Sequence, residues 1–141
     1  MPDHTGGILR SDSLARAPYV LYFYPKDDTP GCTREACGFR DAGSELARLG
    51  VRVLGVSADS PASHARFRAK YSLDFPLISD VDRTLMAAYG AFGKKVLYGK
   101  ATEGVIRSTF LVDAAGVVRK AWRNVKVDGH VDQVLGALRD L

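Results

Sequence analysis

The alternation of strand-like and helix-like segments constrains the fold of this chain most. An aromatic run at 19–24 (YVLYFY) and a β-branched run at 51–57 (VRVLGVS) have the composition of buried strands. Between them, apolar residues of segment 32–49 recur every three or four positions, as on one face of a helix that Gly50 would end. A strand–helix–strand unit joins parallel strands, so the sequence predicts an α/β protein.

The later segments extend this pattern to a mixed sheet with helices on both faces. Ser60 and Pro61 have the residue types of an N-cap and a first helical position. The segments predict a helix over 61–71, a strand over 75–78, a helix over 82–89, a loop over 90–104, an antiparallel hairpin of strands 108–112 and 117–125, and a closing helix over 129–140. A loop that long suggests a function. With 141 residues, we expect a single domain, 1–141.

Composition excludes several classes of protein. The net charge of +4 comes from 20 basic and 16 acidic residues that are scattered along the chain, which favours a solvated surface over a nucleic-acid site. No apolar run approaches the roughly 18 residues of a membrane span, and the first ten residues do not resemble a secretion signal. We therefore expect a cytoplasmic protein without a membrane partner, in which structural disulfides are rare.

The first cysteine, Cys32, follows a turn-forming segment at 26–31 and lies where the predicted helix begins. Free backbone N–H groups at a helix start, or a nearby cation, lower the pKa of a thiol from about 8.5 and so produce the reactive thiolate. Pro30 suits the first turn because it has no N–H to leave unpaired. The hydroxyl of Thr29 can both donate to and accept from a bound oxygen. A buried bystander cysteine is the alternative, but a helix start after a turn is a poor place for one.

The second cysteine, Cys37, is five residues further along the same predicted helix. In an ideal helix this spacing separates the two Cα atoms by about 8.6 Å, whereas a disulfide needs less than about 7 Å. A bond to Cys32 therefore requires the helix start to unwind; packing in the core is the alternative role for Cys37. A zinc site is disfavoured because His4, His64 and His130 lack ligand spacing. We place His64 and His130 on helix surfaces, without a role.

The string PKDDTPGCTREACGFRD at 25–41 contains Pro25, Thr29 and Cys32 in the P-x3-T-x2-C pattern of peroxiredoxins. The chain resembles the bacterioferritin-comigratory-protein, or peroxiredoxin Q, branch of that family from about residue 2 to its C-terminus, including STFLVD at 108–113. The resemblance implies a thioredoxin-like fold, one of the α/β arrangements that the element order admits. It implies antioxidant peroxidase activity on hydrogen peroxide and organic hydroperoxides, with no cofactor. It further implies that Cys32 is the peroxidatic cysteine, that Cys37 resolves it as an intramolecular disulfide, and that Arg107 lies beside the peroxidatic sulfur.

The resemblance also suggests partners and one departure. Thioredoxin or a similar dithiol is the expected reductant, and the expected state is a monomer. Family members usually begin with a Gly-Asp-x-Ala-Pro-x-Phe segment that forms the first strand of a hairpin. Here residues 1–3 fall where that strand should end, and 6–14 would form the return strand. We therefore expect a shortened N-terminal hairpin, and the sheet edge that it leaves uncovered could pair with a second copy.

The sequence leaves two other functions open: a redox sensor that reacts once without turnover, and a binding or chaperone-like module with an exposed sheet edge.

Three single residues carry less specific expectations. We expect Glu35 to form a surface salt bridge with Arg34 or Lys26, although it could orient the site. We expect Trp122 to be at least half-buried, and Tyr98 either to line the site entrance or to be exposed.

Overall fold

The computed structural model describes residues 17–97 and 100–139. Its elements alternate much as the sequence predicts. In chain order they are β1 (Tyr19–Phe23), α1 (Pro30–Asp41), α2 (Gly43–Arg48), β2 (Arg52–Ser57), α3 (Pro61–Tyr71), β3 (Leu77–Ser79), α4 (Thr84–Ala88), β4 (Phe92–Leu97), β5 (Lys100–Val105), β6 (Ser108–Val112), β7 (Val118–Trp122) and α5 (His130–Arg139).

A five-stranded sheet in the order β3-β2-β1-β6-β7 forms the centre of the molecule. Strands β1, β2 and β3 run parallel, because helices connect them, whereas β6 and β7 are antiparallel neighbours. The register sets Ser108 opposite Phe23, so that the start of β6 meets the end of β1. The predicted mixed sheet is confirmed.

Successive side chains of β1 and of Tyr24, the residue after it, point to opposite faces of the sheet and divide the core in two. Val20, Tyr22 and Tyr24 pack with helices α1, α2, α3 and α5, whereas Leu21 and Phe23 pack with α4 and the β4–β5 hairpin. All five side chains are at least 96% buried, the largest exposed fraction being the 4% of Leu21. Burial on both faces explains why this strand is a continuous apolar run instead of an alternating one.

The predicted helix over 32–49 is wrong in one respect: it is two helices, α1 and α2. Ala42 leaves the helical conformation, with φ −83° and ψ 2°, and Gly43, a poor helix former, begins α2. The amide N–H of Ala42 still donates to Gly38 O, and its carbonyl accepts from Leu46 N, so the apolar periodicity passes through the break. Gly50 ends the second helix with φ +71°, as predicted.

The predicted loop over 90–104 is also wrong, because β4 and β5 form an antiparallel hairpin there. Its glycines and lysines hide the usual strand alternation. The pair Phe92 and Val105 nevertheless joins the second core cluster and holds the base of the hairpin. Residues 98 and 99, and with them the prediction for Tyr98, lie outside the described residues.

Helix α3 begins as predicted: Pro61 occupies the first turn, and the Ser60 hydroxyl accepts a hydrogen bond from the amide of Ser63 at 3.2 Å.

The segment at 6–14, predicted as a return strand, lies outside the described residues. Within 17–97 and 100–139, no helix has the length and apolar character that a membrane crossing needs.

Candidate active site

Cys32 lies in the first turn of α1, directly beyond the end of β1. Thr29 is the N-cap residue, Pro30 begins the helix, and the first helical hydrogen bond runs from Thr33 N to Thr29 O at 2.8 Å. The amides of Gly31 and Cys32 precede that bond and have no partner within the helix. The Cys32 thiol is 1% exposed and belongs to the first core cluster. The nearly buried sulfur thus belongs to the helix turn whose backbone N–H groups have no helical partner and which carries the positive end of the helix dipole.

Arg107, 75 residues further along the chain, places a positive charge beside this sulfur. Its Nη2 donates to Cys32 Sγ at 3.2 Å, and its Nη1 donates to Glu35 Oε1 at 2.7 Å. Arg107 directly precedes β6, whose pairing with β1 carries it to the site. A side chain at Gly31 would come within 3.3 Å of Nη2, so this glycine permits the close approach of the guanidinium group.

Glu35 differs most from its prediction, because its carboxylate is buried against Arg107 instead of lying at the surface. Burial raises the pKa of Glu35 to about 7, and Arg107 only partly offsets this effect. Its Oε2 has no hydrogen-bond partner among the described residues. Arg34, one of its predicted partners, pairs instead with Asp128 at 2.7 Å. A signal was available, since Glu35 lies three residues after Cys32 and therefore on the same helix face.

Thr29 and Pro25 lie in the loop that connects β1 to α1. The Thr29 hydroxyl donates to Lys26 O at 2.9 Å and does not cap the helix, so its lone pairs are free to accept. Pro25 is exposed and follows Tyr24, the buried residue just beyond the end of β1. Among the predicted residues, the geometry brings Arg107 into direct contact with Cys32 and sets Thr29 at the start of the same helix.

Cys37 is half-buried on α1, and both cysteines are free. The helix is continuous from residue 30 to residue 41, so five helical residues separate the two thiols, as the sequence predicts. In this state Cys32 and Cys37 are too far apart to bond until the first turns of α1 open.

Tyr22 is a buried neighbour of Cys32 and Glu35 that the sequence did not single out. Its ring stacks on Phe39 with centroids 4.9 Å apart, and its hydroxyl has no hydrogen-bond partner among the described residues. Burial raises the pKa of Tyr22 far above its ordinary value, and the charges of Glu35 and Cys32 add to this effect. The phenol therefore stays neutral beneath the site.

Both histidines that were predicted at helix surfaces are buried, so that prediction is wrong. His130 is 1% exposed and lies 2.7 Å from Thr109 Oγ1 through its Nε2. Burial, with a smaller effect from Arg107, lowers the pKa of His130. His64 is fully buried beneath the loop that leads into α1. Trp122 is half-buried against the core, as predicted, with its ring edge-on to His130.

Comparisons with known proteins agree with this geometry. The model of the AhpC/TSA family matches residues 1–121. The chain belongs to this family. Peroxiredoxin Bcp of Xanthomonas campestris is 50% identical over 120 residues, covering 85% of this chain and 75% of that protein. Peroxiredoxin Bcp of Bacillus subtilis is 47% identical over 139 residues, covering 99% and 88%.

Solved structures point to the same branch. The X. campestris bacterioferritin comigratory protein, analysed for its alkyl peroxide reduction activity, matches with a TM-score of 0.93 and 44% identity, covering 99% of this chain and 90% of that one. The thioredoxin-like fold and membership of the bacterioferritin-comigratory-protein, or peroxiredoxin Q, branch are therefore confirmed.

Proposed function

We propose that this peroxiredoxin reduces hydrogen peroxide and organic hydroperoxides through Cys32, closes an intramolecular disulfide to Cys37, and is recycled by thioredoxin or a similar dithiol. One observation carries the proposal: the guanidinium group of Arg107 lies 3.2 Å from a nearly buried sulfur at a helix start. A bystander cysteine in a core does not need a largely buried arginine beside it, since burying that charge is costly.

In the first step, the thiolate of Cys32 attacks the terminal oxygen of the hydroperoxide in line with the O–O bond. An S–O bond forms and the O–O bond breaks, so that sulfur is oxidised by two electrons and the peroxide is reduced. The departing alkoxide or hydroxide takes up a proton and leaves as alcohol or water, while Cys32 becomes a sulfenic acid. Arg107, Thr29 and the free amides of the first turn stabilise the negative charge on the departing oxygen.

In the second step, the first turns of α1 unwind and the thiol of Cys37 attacks the sulfenic sulfur. A disulfide forms, and the sulfenic oxygen leaves as water with the thiol proton. A dithiol reductant then attacks this disulfide by thiol–disulfide exchange and becomes a disulfide itself. Unwinding also exposes the Cys32 sulfur, which is almost fully buried in the intact helix, so that the reductant can reach the disulfide. The monomeric state and the cytoplasmic location stay predictions from the sequence.

A turnover assay with thioredoxin, thioredoxin reductase and NADPH tests the proposal. The unaltered protein is expected to consume many equivalents of peroxide. Cys32→Ser should consume none above background, whereas Cys37→Ser should react once and then stop, because its sulfenic acid has no resolving partner. A redox sensor would show a single turnover even with both cysteines present. Peroxide consumption by Cys32→Ser at the parent rate would refute the proposal.

A further inference from the structure

A buried polar network joins the active-site loop, defined as residues 25–29, to helix α3. Its centre is His64, which is fully buried. The Nδ1 atom of His64 lies 2.7 Å from Asp27 Oδ2, and its Nε2 lies 3.0 Å from the carbonyl oxygen of Ile78. The carbonyl oxygen and the carboxylate oxygen of Asp27 both accept, so both ring nitrogens of His64 donate. His64 therefore connects the active-site loop to strand β3 through the interior.

Asp27 is fixed from several directions besides His64. Its Oδ1 accepts from the Tyr24 hydroxyl at 2.6 Å, and its Oδ2 accepts from the Ser63 hydroxyl at 2.7 Å. Its backbone N–H donates to Asp59 Oδ2 at 2.8 Å. Three of these residues, Asp27, Asp59 and His64, are types that ligate metals, but each of their facing atoms already has a protein partner. The cluster is therefore a hydrogen-bonded anchor, and not an open ligand set.

The position of this anchor matters because of where the chain must move. Asp27 lies five residues before Cys32, just as Cys37 lies five residues after it. On the far side, α1 is packed tightly on α5, since a methyl group at Gly38 would come within 2.8 Å of Val131 Cγ2. Asp28, the residue after Asp27, is held at the surface, where it accepts from Lys70 Nζ and from the Tyr71 hydroxyl, each at 2.7 Å. The segment that can unwind is thus bounded by the buried bond of Asp27 and the surface bonds of Asp28 on one side and by the Gly38 contact on the other.

We propose that His64 is a positioning residue for the peroxidase cycle: its bond to Asp27 holds the active-site loop in place and thereby sets how often α1 opens to bring Cys32 to Cys37. The inference rests on the proposed function. While the loop is anchored, the unwound segment can adopt few conformations. Unwinding α1 therefore gains little conformational entropy and stays rare. Releasing the loop increases those conformations and favours the open state.

The two chemical steps should respond differently to a weakened anchor. Attack on peroxide takes place in the closed state. This state stays the dominant one when the anchor is moderately weakened, so the rate of attack changes little. Disulfide formation uses the rare open state, so its rate rises in proportion to that population. Ordering the backbone of a single residue shifts an equilibrium by roughly tenfold. We therefore expect disulfide formation to accelerate at least about fivefold when removal of this bond frees the loop.

Two matched substitutions separate the anchor from simple packing. In His64→Asn, the side-chain amide nitrogen takes the place of Nδ1 and can still donate to Asp27. In His64→Gln, the amide nitrogen takes the place of Nε2 and donates to Ile78 O instead. Both variants remove the ring, and both leave one buried acceptor without its histidine donor. A merely structural role predicts that they behave alike, so their difference isolates the bond to Asp27.

The experiment mixes each reduced protein with one equivalent of hydrogen peroxide, quenches it with acid at short intervals, alkylates free thiols and follows the disulfide by mass spectrometry. We expect disulfide formation in His64→Gln to be at least about fivefold faster than in the unaltered protein, and that in His64→Asn to stay within about twofold. Urea unfolding of the reduced variants should show similar loss of stability in both. Equal rates in the two variants, or no acceleration in His64→Gln, would overturn the inference. Absence of any Cys32–Cys37 bond in the unaltered protein would instead refute the resolving step itself, and the inference with it.

Discussion

Replacing Glu35 by glutamine should change how stability depends on pH. The folded protein holds the pKa of this carboxyl at about 7, against an ordinary value of 4.5, because the group is buried. The folded state therefore retains a proton that the unfolded chain releases, and the associated stability is complete below about pH 4.5 and is lost as pH rises through about 7. At about 1.4 kcal/mol for each pKa unit, the loss is about 3 kcal/mol at alkaline pH. Glutamine keeps the shape and an acceptor for Arg107 but cannot ionise.

Urea unfolding of the reduced proteins between about pH 5 and pH 8 measures this effect. The difference in free energy of unfolding, Glu35→Gln minus the unaltered protein, should become more favourable to the variant by about 2 to 3 kcal/mol over that range. Groups that titrate in both proteins cancel in the difference. Glu45→Gln is the matched control, since Glu45 also accepts from an arginine, Arg139 Nε at 2.7 Å, but at the surface. The difference in free energy of unfolding between Glu45→Gln and the unaltered protein should change by no more than about 0.5 kcal/mol over the same pH range.

Parallel curves for Glu35→Gln and the unaltered protein would refute this reasoning. They would mean that the 2.7 Å contact with Arg107 outweighs burial and keeps Glu35 ionised throughout the range. The buried Oε2 without a partner among the described residues argues for the opposite balance, because an ionised carboxylate is costly to bury without full hydrogen bonding.

Three further substitutions test local features of the structure. Arg107→Lys should slow the reaction with peroxide by about tenfold or more in stopped-flow measurements, because a lysine cannot bridge the sulfur and the carboxylate as the forked guanidinium does; an unchanged rate constant would contradict this role. Gly38→Ala should lower the free energy of unfolding by about 1 kcal/mol, since a methyl group there lies 2.8 Å from Val131 Cγ2 and overpacking exceeds the gain in helix propensity; a stabilised variant would show that α5 shifts freely. Ser60→Ala should also cost about 1 kcal/mol in urea unfolding by removing the N-cap bond to Ser63, which an unaltered midpoint would disprove.

The sequence predicted local features of the site well, because those features depend on residues close in the chain. The strand at 19–24, the turn and Pro30 together require a helix to begin near Cys32, as it does. The N-cap of α3 was predictable for the same reason. Arg107 is distant in sequence, and the expectation that it lies beside the sulfur came from the family resemblance; the pairing of β6 with β1 accounts for its position.

Features set by tertiary packing were not predictable in this way. A glutamate or a histidine on a helix is usually exposed, so Glu35 and His64 were predicted at the surface. Both are buried because each meets a partner from elsewhere in the fold, Arg107 for Glu35 and Asp27 for His64. The β4–β5 hairpin was not predicted because its glycines and lysines obscure the alternation of apolar and polar residues that is typical of a strand. The hairpin is defined instead by the pairing of its two strands and by the packing of its first and last residues on the core.

Counting thiols after a single equivalent of hydrogen peroxide tests most directly whether Cys32 is the reacting sulfur. Intact mass after alkylation should show both thiols lost together in the unaltered protein, and peptide mapping should locate one bond between Cys32 and Cys37. In Cys37→Ser, the same treatment should add one oxygen atom at residue 32. Two alkylated thiols and unconsumed peroxide in the unaltered protein would contradict the account.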